Sequence, residues 1–567
     1  MPDKFEIASY LRETGLLLSA KGENQFKARA YLRGAKAIEA SQADIGKLVR
    51  EHTLTSIPGI GESLAKTIEE IYQSGESKYL HRLKDEVPEG TVELSRIPGL
   101  TLDKIRKLTE ALGIRTISEL EQACTEEKVR LVPGFAARSE RALLGKIQRM
   151  KTRASAILLV DALETAEEII SYMRSSVRGL EIEVTGDVRR WYEAVEKIQF
   201  VAKPRVVSSA LEAFKKFPLV TEVIESSDDF AAVRLFNELR VELFIAENFT
   251  LKLLETTGPA HFLHLQKLAK RKGLTLNSDV FKAKTRQIEV VSETDVYKKL
   301  GLSFVPPELR EDNGEVQLAR KDDFSDLIHY DDIQGMTHCH STYSDGRHSI
   351  EQMARAAERM GMKYMTITDH SPTAHYAGGL TVDRLKEQWE EIERVQEKVK
   401  IKLLRGTECD ILADGELDYP DEILEQFDVI IASIHSRYKQ DESKMMKRLL
   451  NGLRNPHFKI WGHPLGRLVL RRDPIPCDVE KILEAIQDSP VAIEINGDPY
   501  RLDLEPKWSK LASDLGFNFV ISTDAHATSD LQNLPFGIHQ ARRAGIRRSQ
   551  VLNAQSFSKF RNTVKPN

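Results

Sequence analysis

The sequence predicts a multidomain protein with an all-α N-terminal region, a central α+β domain and a C-terminal seven-stranded (β/α) barrel. Three observations carry that prediction. At 567 residues the chain exceeds the ~100–200 residues that usually share one core, so three or four domains are expected. Apolar residues recur at three and four spacing through Ile7-Ala8-Leu11-Leu16-Leu17-Leu18 and Ala30-Tyr31-Ala35-Ile38, the periodicity of amphipathic helices. From residue 331 the rhythm changes: seven apolar, β-branched segments (MTHCH, YMTITDH, LLRGTECDI, VIIASIHS, FKIWGHP, VAIEING and FVISTDAH) alternate with helical or loop sequence. Most end in a histidine or an acid, and barrels of this kind gather functional side chains at the C-terminal ends of their strands.

The N-terminal helices fall into two parts, 1–85 and 86–153. Three similar loops punctuate them as a weak repeat: Ile57-Pro58-Gly59-Ile60-Gly61, Ile97-Pro98-Gly99-Leu100-Thr101 and Val132-Pro133-Gly134-Phe135-Ala136. The basic stretch Lys146-Arg149-Lys151-Arg153 is read either as the exit into the next domain or as a solvated helix end, with no function assigned. Residues 154–318 mix strands such as Ile182-Glu183-Val184-Thr185 and Val241-Glu242-Leu243-Phe244-Ile245 with helices, which reads as α+β. A linker at 319–330 leads to the barrel at 331–567.

Composition narrows the function classes. Hydrophobic residues make up 41% and charged ones 30%, the balance of a globular chain rather than a disordered one. No apolar run approaches the ~20 residues needed to span a bilayer, so no membrane partner is expected. The start, MPDKFEIASYLRETG, lacks the basic, apolar and small-residue zones of a secretion signal. Four cysteines without a C-x-x-C pair suggest neither a disulfide framework nor a zinc knuckle. Together these predict a cytoplasmic protein. Because 82 basic residues are offset by 86 acidic ones, any contact with DNA must come from local sites.

The barrel segments carry a metal-ligand pattern. His338 and His340 are two apart on a predicted strand, so both face the same side while Cys339 faces away. Asp345 follows in the loop, and the next strand ends in Thr368-Asp369-His370. Further strand ends supply Glu408, His435 and His463, and the last closes with Asp524 and His526, again spaced i, i+2. Six histidines, two aspartates and one glutamate therefore converge on one rim. Imidazole suits zinc, manganese or iron, and a carboxylate can bridge two cations while reducing their repulsion, so several divalent ions are implied. A single such histidine is more often structural; nine donors at successive strand ends are not. Cys339 and Cys409 are read as core residues.

The set H-x-H, D-G, T-D-H, G-x-E, S-x-H, G-H-P and T-D-A-H resembles the polymerase and histidinol phosphatase (PHP) family, a (β/α) barrel of phosphoesterases. The resemblance implies a trinuclear centre, with His338, His340, Glu408 and Asp524 on one metal, Glu408, His435 and His463 on the second, and Asp345, His370 and His526 on the third. Manganese or zinc is the expected metal, with iron as the alternative, and two or three ions in total. Water activated by the metals would attack phosphorus. Arg467, in GHPLGR, and Arg501, in EINGDPYRLD, are read as phosphate clamps or as structural salt-bridge partners.

Over the whole chain, FKARAYLRGAKAIEA, SIPGIGESLAKTIEEI, TGDVRRWYE, TTGPAHF, KLGLSFVPPELREDNGE and DIQGMTHCH resemble the bacterial PolX family. Its members join a helix-hairpin-helix region, a polymerase-beta-like nucleotidyltransferase domain and a PHP 3′–5′ exonuclease. The resemblance implies DNA as partner, at gaps, nicks or 3′ ends, and a monomer. Ile57-Pro58-Gly59-Ile60-Gly61 resembles a helix-hairpin-helix loop, whose Gly59, Ile60 and Gly61 would let backbone amides approach a DNA phosphate. The other two loops have Thr101 and Ala136 in place of the second glycine and are read either as DNA contacts or as helix packing. The family's lyase lysine falls on Thr67, with Lys66 beside it on another helical face, so lyase activity is not expected.

The polymerase motif departs from the family pattern. Where the family has glycine-serine, two arginines and an aspartate pair spaced i, i+2, this chain has Gly186-Asp187-Val188-Arg189-Arg190, then Lys197 and Gln199; the third carboxylate position is Glu242. Neither Lys197 nor Gln199 can hold magnesium between a primer end and a triphosphate, so loss of polymerase activity is expected. Arg189 and Arg190 remain as phosphate binders, or the domain is a structural spacer. The reading is a DNA-repair phosphoesterase acting as a 3′–5′ exonuclease. An active gap-filling polymerase, a histidinol-phosphatase-like small-molecule phosphatase and a non-enzymatic DNA scaffold are the alternatives.

Overall fold

The computed structural model describes residues 4–566 except 22–24, 41–44, 58, 88–89, 95–96, 98–99, 138, 142, 146 and 148–155. The basic positions Lys146, Arg149, Lys151 and Arg153 lie outside the described residues, as do Pro58, Pro98 and Gly99 of the repeated loops. Two compact units are present, Met1–Ser155 and Ala156–Asn567.

The first unit is helical. In Glu62–Ser74, Leu64, Ala65, Ile68 and Ile71 fall on one face and are buried, as their spacing demands. The helix stops at Gly75, whose φ of 75° and N–H bond to the Ile71 carbonyl form a left-handed cap that favours glycine. Ile57 and Ile60 are buried in the same core as Leu11, Leu18 and Ile38, so the first loop is pinned from beneath. A second core gathers Leu94, Ile105, Leu108, Leu120 and Val129. The helix Ile117–Thr125 begins with a reciprocal capping box between Thr116 and Glu119.

The second unit opens with a five-stranded mixed sheet in the order Glu181–Thr185, Lys197–Lys203, Arg240–Ile245, Phe230–Leu235, Val220–Ser226. Lys197–Lys203 runs parallel to Arg240–Ile245 and every other pairing is antiparallel. The helix Leu159–Ser176 buries Ile169 and Met173 against Phe200, Val241 and Leu243 of this sheet. The helices Phe249–Thr257, Pro259–Arg271 and Glu293–Leu300 then share a separate core built on Leu254, Phe262, Leu265 and Tyr297.

The barrel has seven parallel strands in strictly sequential order, Gly335–Met336, Tyr364–Ile367, Lys402–Asp410, Val429–Ser433, Ile460–Trp461, Ala492–Asn496 and Phe519–Ser522. First and last strands meet just beyond these spans: a parallel bridge joins Cys339 to Ala525, with His340 N–H donating to the Ala525 carbonyl at 2.8 Å and Ala525 N–H to the His338 carbonyl at 3.1 Å. Period-two alternation gives the interior two layers. Leu404, Val429, Ile431, Ile460, Ala492 and Val520 make an apolar layer against Leu552, Phe560 and Val564 of the C-terminal segment. On the same faces, nearer the strand C-termini, stand Glu408, Ser433, Glu494, Asn496 and Ser522, all buried. The outer faces, including Cys339 and Cys409, pack under helices through Met353, Trp389, Leu449 and Ile482. Among the described residues no helix is long and apolar enough to cross a membrane.

Candidate metal centre

The polar layer of the barrel brings all nine sequence-predicted ligands together. Glu408 stands at the middle. Its Oε1 lies 2.6 Å from His463 Nε2 and 3.0 Å from His435 Nε2. Its Oε2 lies 3.1 Å from His370 Nδ1, 3.4 Å from His338 Nε2 and 3.5 Å from His340 Nε2. Asp524 Oδ1 is 3.2 Å from His340 Nε2 and 3.5 Å from His338 Nε2. Asp345 Oδ1 is 3.4 Å from His526 Nε2 and 3.6 Å from His370 Nε2. Three groups have donor atoms close enough to hold one ion each: His338-His340-Glu408-Asp524, His340-Asp345-His370-His526 and His370-Glu408-His435. The second and third share His370, and the first and second share His340, so the partition differs in detail from the one the resemblance implies.

These separations fit cations better than they fit hydrogen bonds. Metal–donor bonds of ~2.1 Å imply roughly 3.4 Å between tetrahedral ligand atoms, the spacing seen around His338, His340 and Asp345. Moreover, His338 Nε2, His340 Nδ1, His370 Nδ1, both nitrogens of His435 and His463 Nδ1 are buried without a hydrogen-bond partner. Orphaned polar atoms at this density are costly in a metal-free interior and are satisfied by coordination. Two members, His463 and Asp524, sit at positive φ of 21° and 51°, backbone strain of the kind that persists where a site demands it.

The charges match the donor set. Burial alone would neutralise Glu408, yet His435, His370, His338 and His463 hold its carboxyl well below the usual range. Burial likewise opposes ionisation of Asp345, and His526, His340 and His370 outweigh it, leaving a pKa of about 2. His370 is carried down to about 4, first by burial, which keeps its imidazole in the neutral, metal-binding form.

A second ring orients the first, and the sequence reading did not single it out. Glu494 accepts from His338 Nδ1 at 2.7 Å and from the His463 N–H at 2.5 Å. Asp410 faces His435 Nδ1 at 3.3 Å and accepts from the His435 N–H at 3.2 Å. Asp369 accepts from Ser341 N–H at 2.8 Å, from the Ser341 and Ser344 hydroxyls and from Gln388, which shapes the loop carrying Asp345. The available signal was spacing: Asp410 follows Glu408, and Asn496 follows Glu494, by two residues on one strand face.

The two candidate clamps separate. Arg501 Nε sits 3.0 Å from Asp524 Oδ2, and its Nη1 is buried without a partner. Arg467, in contrast, bonds the Arg501 and Leu502 carbonyls, Glu505 at 2.5 Å and Glu193 at 3.3 Å. All three of its guanidinium nitrogens are engaged, which favours the salt-bridge side of the two readings. The two candidate arginines of the mixed sheet are also engaged, although Arg190 Nε is buried without a partner. Arg189 bonds Thr257 at 2.7 Å and both oxygens of Glu293, and Arg190 bonds Asp187 and the Arg310 carbonyl; their donors tie that sheet to the neighbouring helices. Lys197 Nζ and Gln199 Nε2 both donate to Glu242, at 3.0 and 2.7 Å, and Arg240 donates at 2.6 Å.

In the helical unit Gly59 adopts φ 91°. Gly61 begins Glu62–Ser74 without a side-chain cap, and nothing lies within 4 Å of where its Cβ would stand. Ile60 is buried beneath them, so the loop is shaped to let a bulky anion approach its backbone. Thr67 turns its hydroxyl to the Ser63 carbonyl, while Lys66 is exposed.

Comparison with known proteins gives the same outline. Residues 337–498 match the PHP domain model, 2–77 a helix-hairpin-helix domain and 252–311 the DNA polymerase beta thumb. A probable phosphatase of Thermoanaerobacter sp. (strain X514) is 32% identical over 236 residues, covering 38% of this chain and 89% of that protein. One from Caldicellulosiruptor bescii is 28% identical over 211 residues, 34% of this chain and 80% of the relative. The DNA polymerase/3′-5′ exonuclease PolX of Bacillus subtilis (strain 168) is 34% identical over 572 aligned residues, spanning 100% of both chains. With that match running end to end and the three domain models in the same order, the chain belongs to the PolX family.

Proposed function

We propose that the protein is a DNA-repair phosphodiesterase that removes nucleotides from 3′ ends in its PHP barrel and no longer polymerises DNA. The buried ring of imidazoles around Glu408 carries the reading, because its orphaned nitrogens call for divalent cations. The nine ligands are His338, His340, Asp345, His370, Glu408, His435, His463, Asp524 and His526, holding two or three ions, manganese or zinc before iron. Such cations supply Lewis acidity, neutralising phosphoryl oxygens and acidifying water.

The chain's own residues do the rest. Glu494 fixes the ring of His338, as outer partners of metal-ligating histidines do, and Asp410 holds the backbone N–H of His435. Arg501, anchored on Asp524, offers its unpartnered Nη1 to a phosphoryl oxygen. Asp345 and His526 are the open side of the site, with side chains 36% and 31% exposed against 0–1% for His338, His340 and Glu408; the scissile phosphate enters there. Grip on DNA comes from Gly59, Ile60 and Gly61, which read phosphate rather than sequence. Gapped, nicked or 3′-ended DNA is the substrate, and the protein acts as a cytoplasmic monomer.

Loss of polymerase function rests on the Lys197–Glu242 ion pair, which puts an ammonium where a catalytic dication would sit. A metabolite phosphatase has no use for the helix-hairpin-helix unit. The test is metal removal: after chelation the protein should release no nucleotide from a DNA strand, recover with manganese or zinc, and carry two to three ions per chain by elemental analysis. Undiminished activity after chelation would overturn the assignment.

A further inference from the structure

We infer that Tyr376 is the stacking platform for the base of the 3′-terminal nucleotide and so positions that end at the metal side chains. The inference rests on the exonuclease reading above and names the substrate feature that reading leaves open. Beyond residue 331 the exposed large apolar side chains are Tyr376, at 71%, and Leu470 and Tyr500, at 37% each. All three lie on loops that follow strand C-termini, on the metal side of the barrel.

Tyr376 is the most exposed of them and the nearest to the metal side chains: its ring centroid is 6.2 Å from that of His370, tilted by 57°. The turn beneath it is rigid. Ala374 and Ala377 are buried on either side, Leu380 N–H returns to the His370 carbonyl at 2.8 Å, and Asp418 accepts from Thr373 N–H at 2.6 Å and from its hydroxyl at 2.5 Å. A fixed turn that lifts one aromatic ring into solvent beside the reactive centre loses little entropy when a base lands on it. On a different loop pair of the same rim, Arg471 lies over Tyr500 at 4.8 Å and Arg472 over Tyr438 at 4.2 Å, cations interleaved with rings. That combination of aromatic face and basic groove is how single strands are held without sequence preference. A base on Tyr376 puts its own 5′ phosphodiester next to His370 and the open Asp345–His526 side, while the preceding nucleotides run toward Arg471 and Arg472.

The experiment compares wild type, Tyr376→Ala and Tyr376→Phe on two single strands, one ending in a normal nucleotide and one in a base-free tetrahydrofuran residue. Stacking predicts that Tyr376→Ala raises KM on the normal end by about tenfold with kcat little changed, that the base-free end shows no difference, and that Tyr376→Phe behaves as wild type. Binding is read separately by the quenching of 2-aminopurine placed at the 3′ terminus, in a His340→Ala background that spares the strand; the quenching should vanish when Tyr376→Ala is added. Equal loss on both ends, unchanged KM on the normal end, or undiminished quenching overturns the proposal. A wild-type enzyme that degrades neither strand overturns the exonuclease reading itself.

Discussion

At the scale of single residues, the site separates groups that hold metal from groups that hold the holders. His340 and Asp524 lie in the most buried donor group, so His340→Ala or Asp524→Ala should reduce nucleotide release by at least ~100-fold, while affinity for DNA, which we propose rests mainly in the helical unit, is retained. Steady-state cleavage together with a binding titration checks both halves; cleavage persisting in either variant contradicts the ligand assignment. Glu494→Gln is the subtler change. It leaves every ligand in place but removes the carboxylate that fixes the His338 ring, and outer-partner losses of this kind cost roughly 10- to 100-fold in metal affinity. Activity should therefore need more manganese for half-saturation, and an unchanged metal requirement would deny Glu494 this role. That these nine side chains gather in one place was legible because i, i+2 pairs on strands reveal a shared face. Glu494 and Asp410 obey the same rule yet carry no motif of their own, and the two readings of Arg467 stayed open because sequence does not show which way a guanidinium turns. Here it points to the Leu502 carbonyl and Glu505.

At the scale of elements, two junctions make separate predictions. In the first helix-hairpin-helix loop Gly59 has φ 91°, so replacing it confounds folding with binding. Gly61 has φ −88° and open space at its Cβ, which makes Gly61→Val the cleaner probe. It should weaken DNA binding severalfold at fixed salt without lowering Tm, because the side chain holds a phosphate away from the backbone amides; unchanged binding would count against the loop. The second junction ties the polymerase-like half of the second unit to the barrel. Glu308 accepts from His539 Nδ1 at 2.8 Å and from Arg542 Nε at 2.7 Å, and Trp191 stacks on His539 with centroids 3.7 Å apart. Burial opposes the Glu308 charge, but His539 and Arg542 hold its pKa down at about 2. A depressed carboxylate stabilises the folded state above its unfolded pKa near 4.5, and that contribution fades as pH falls toward 2. It is on the order of 2–3 kcal/mol. Glu308→Gln should thus lower Tm at pH 7 and flatten its fall between pH 5 and 3, and a parallel fall in variant and wild type would contradict the linkage.

At the scale of the whole molecule, the chain keeps the domain order of a PolX protein, and we propose that its chemistry resides in the barrel alone. The three-part fold class was legible from periodicity: 3.6-residue spacing in the first unit, mixed signals in the second, and in the third seven apolar segments, most of them ending in an acid or an imidazole. The parallel pairing of Lys197–Lys203 with Arg240–Ile245 was not, because it joins segments far apart in sequence, and it is this pairing that sets Gln199 opposite Glu242. Primer extension on a one-nucleotide gap, in a His340→Ala background, should show no template-dependent incorporation with magnesium or manganese. The central claim, that the barrel cuts DNA from its 3′ ends with metal, is tested most directly by a 5′-labelled single strand incubated with manganese and either wild-type protein or Asp524→Ala. The account predicts a ladder shortening one nucleotide at a time with wild type and an intact strand with the variant; an intact strand with both, or the same ladder with both, would contradict it.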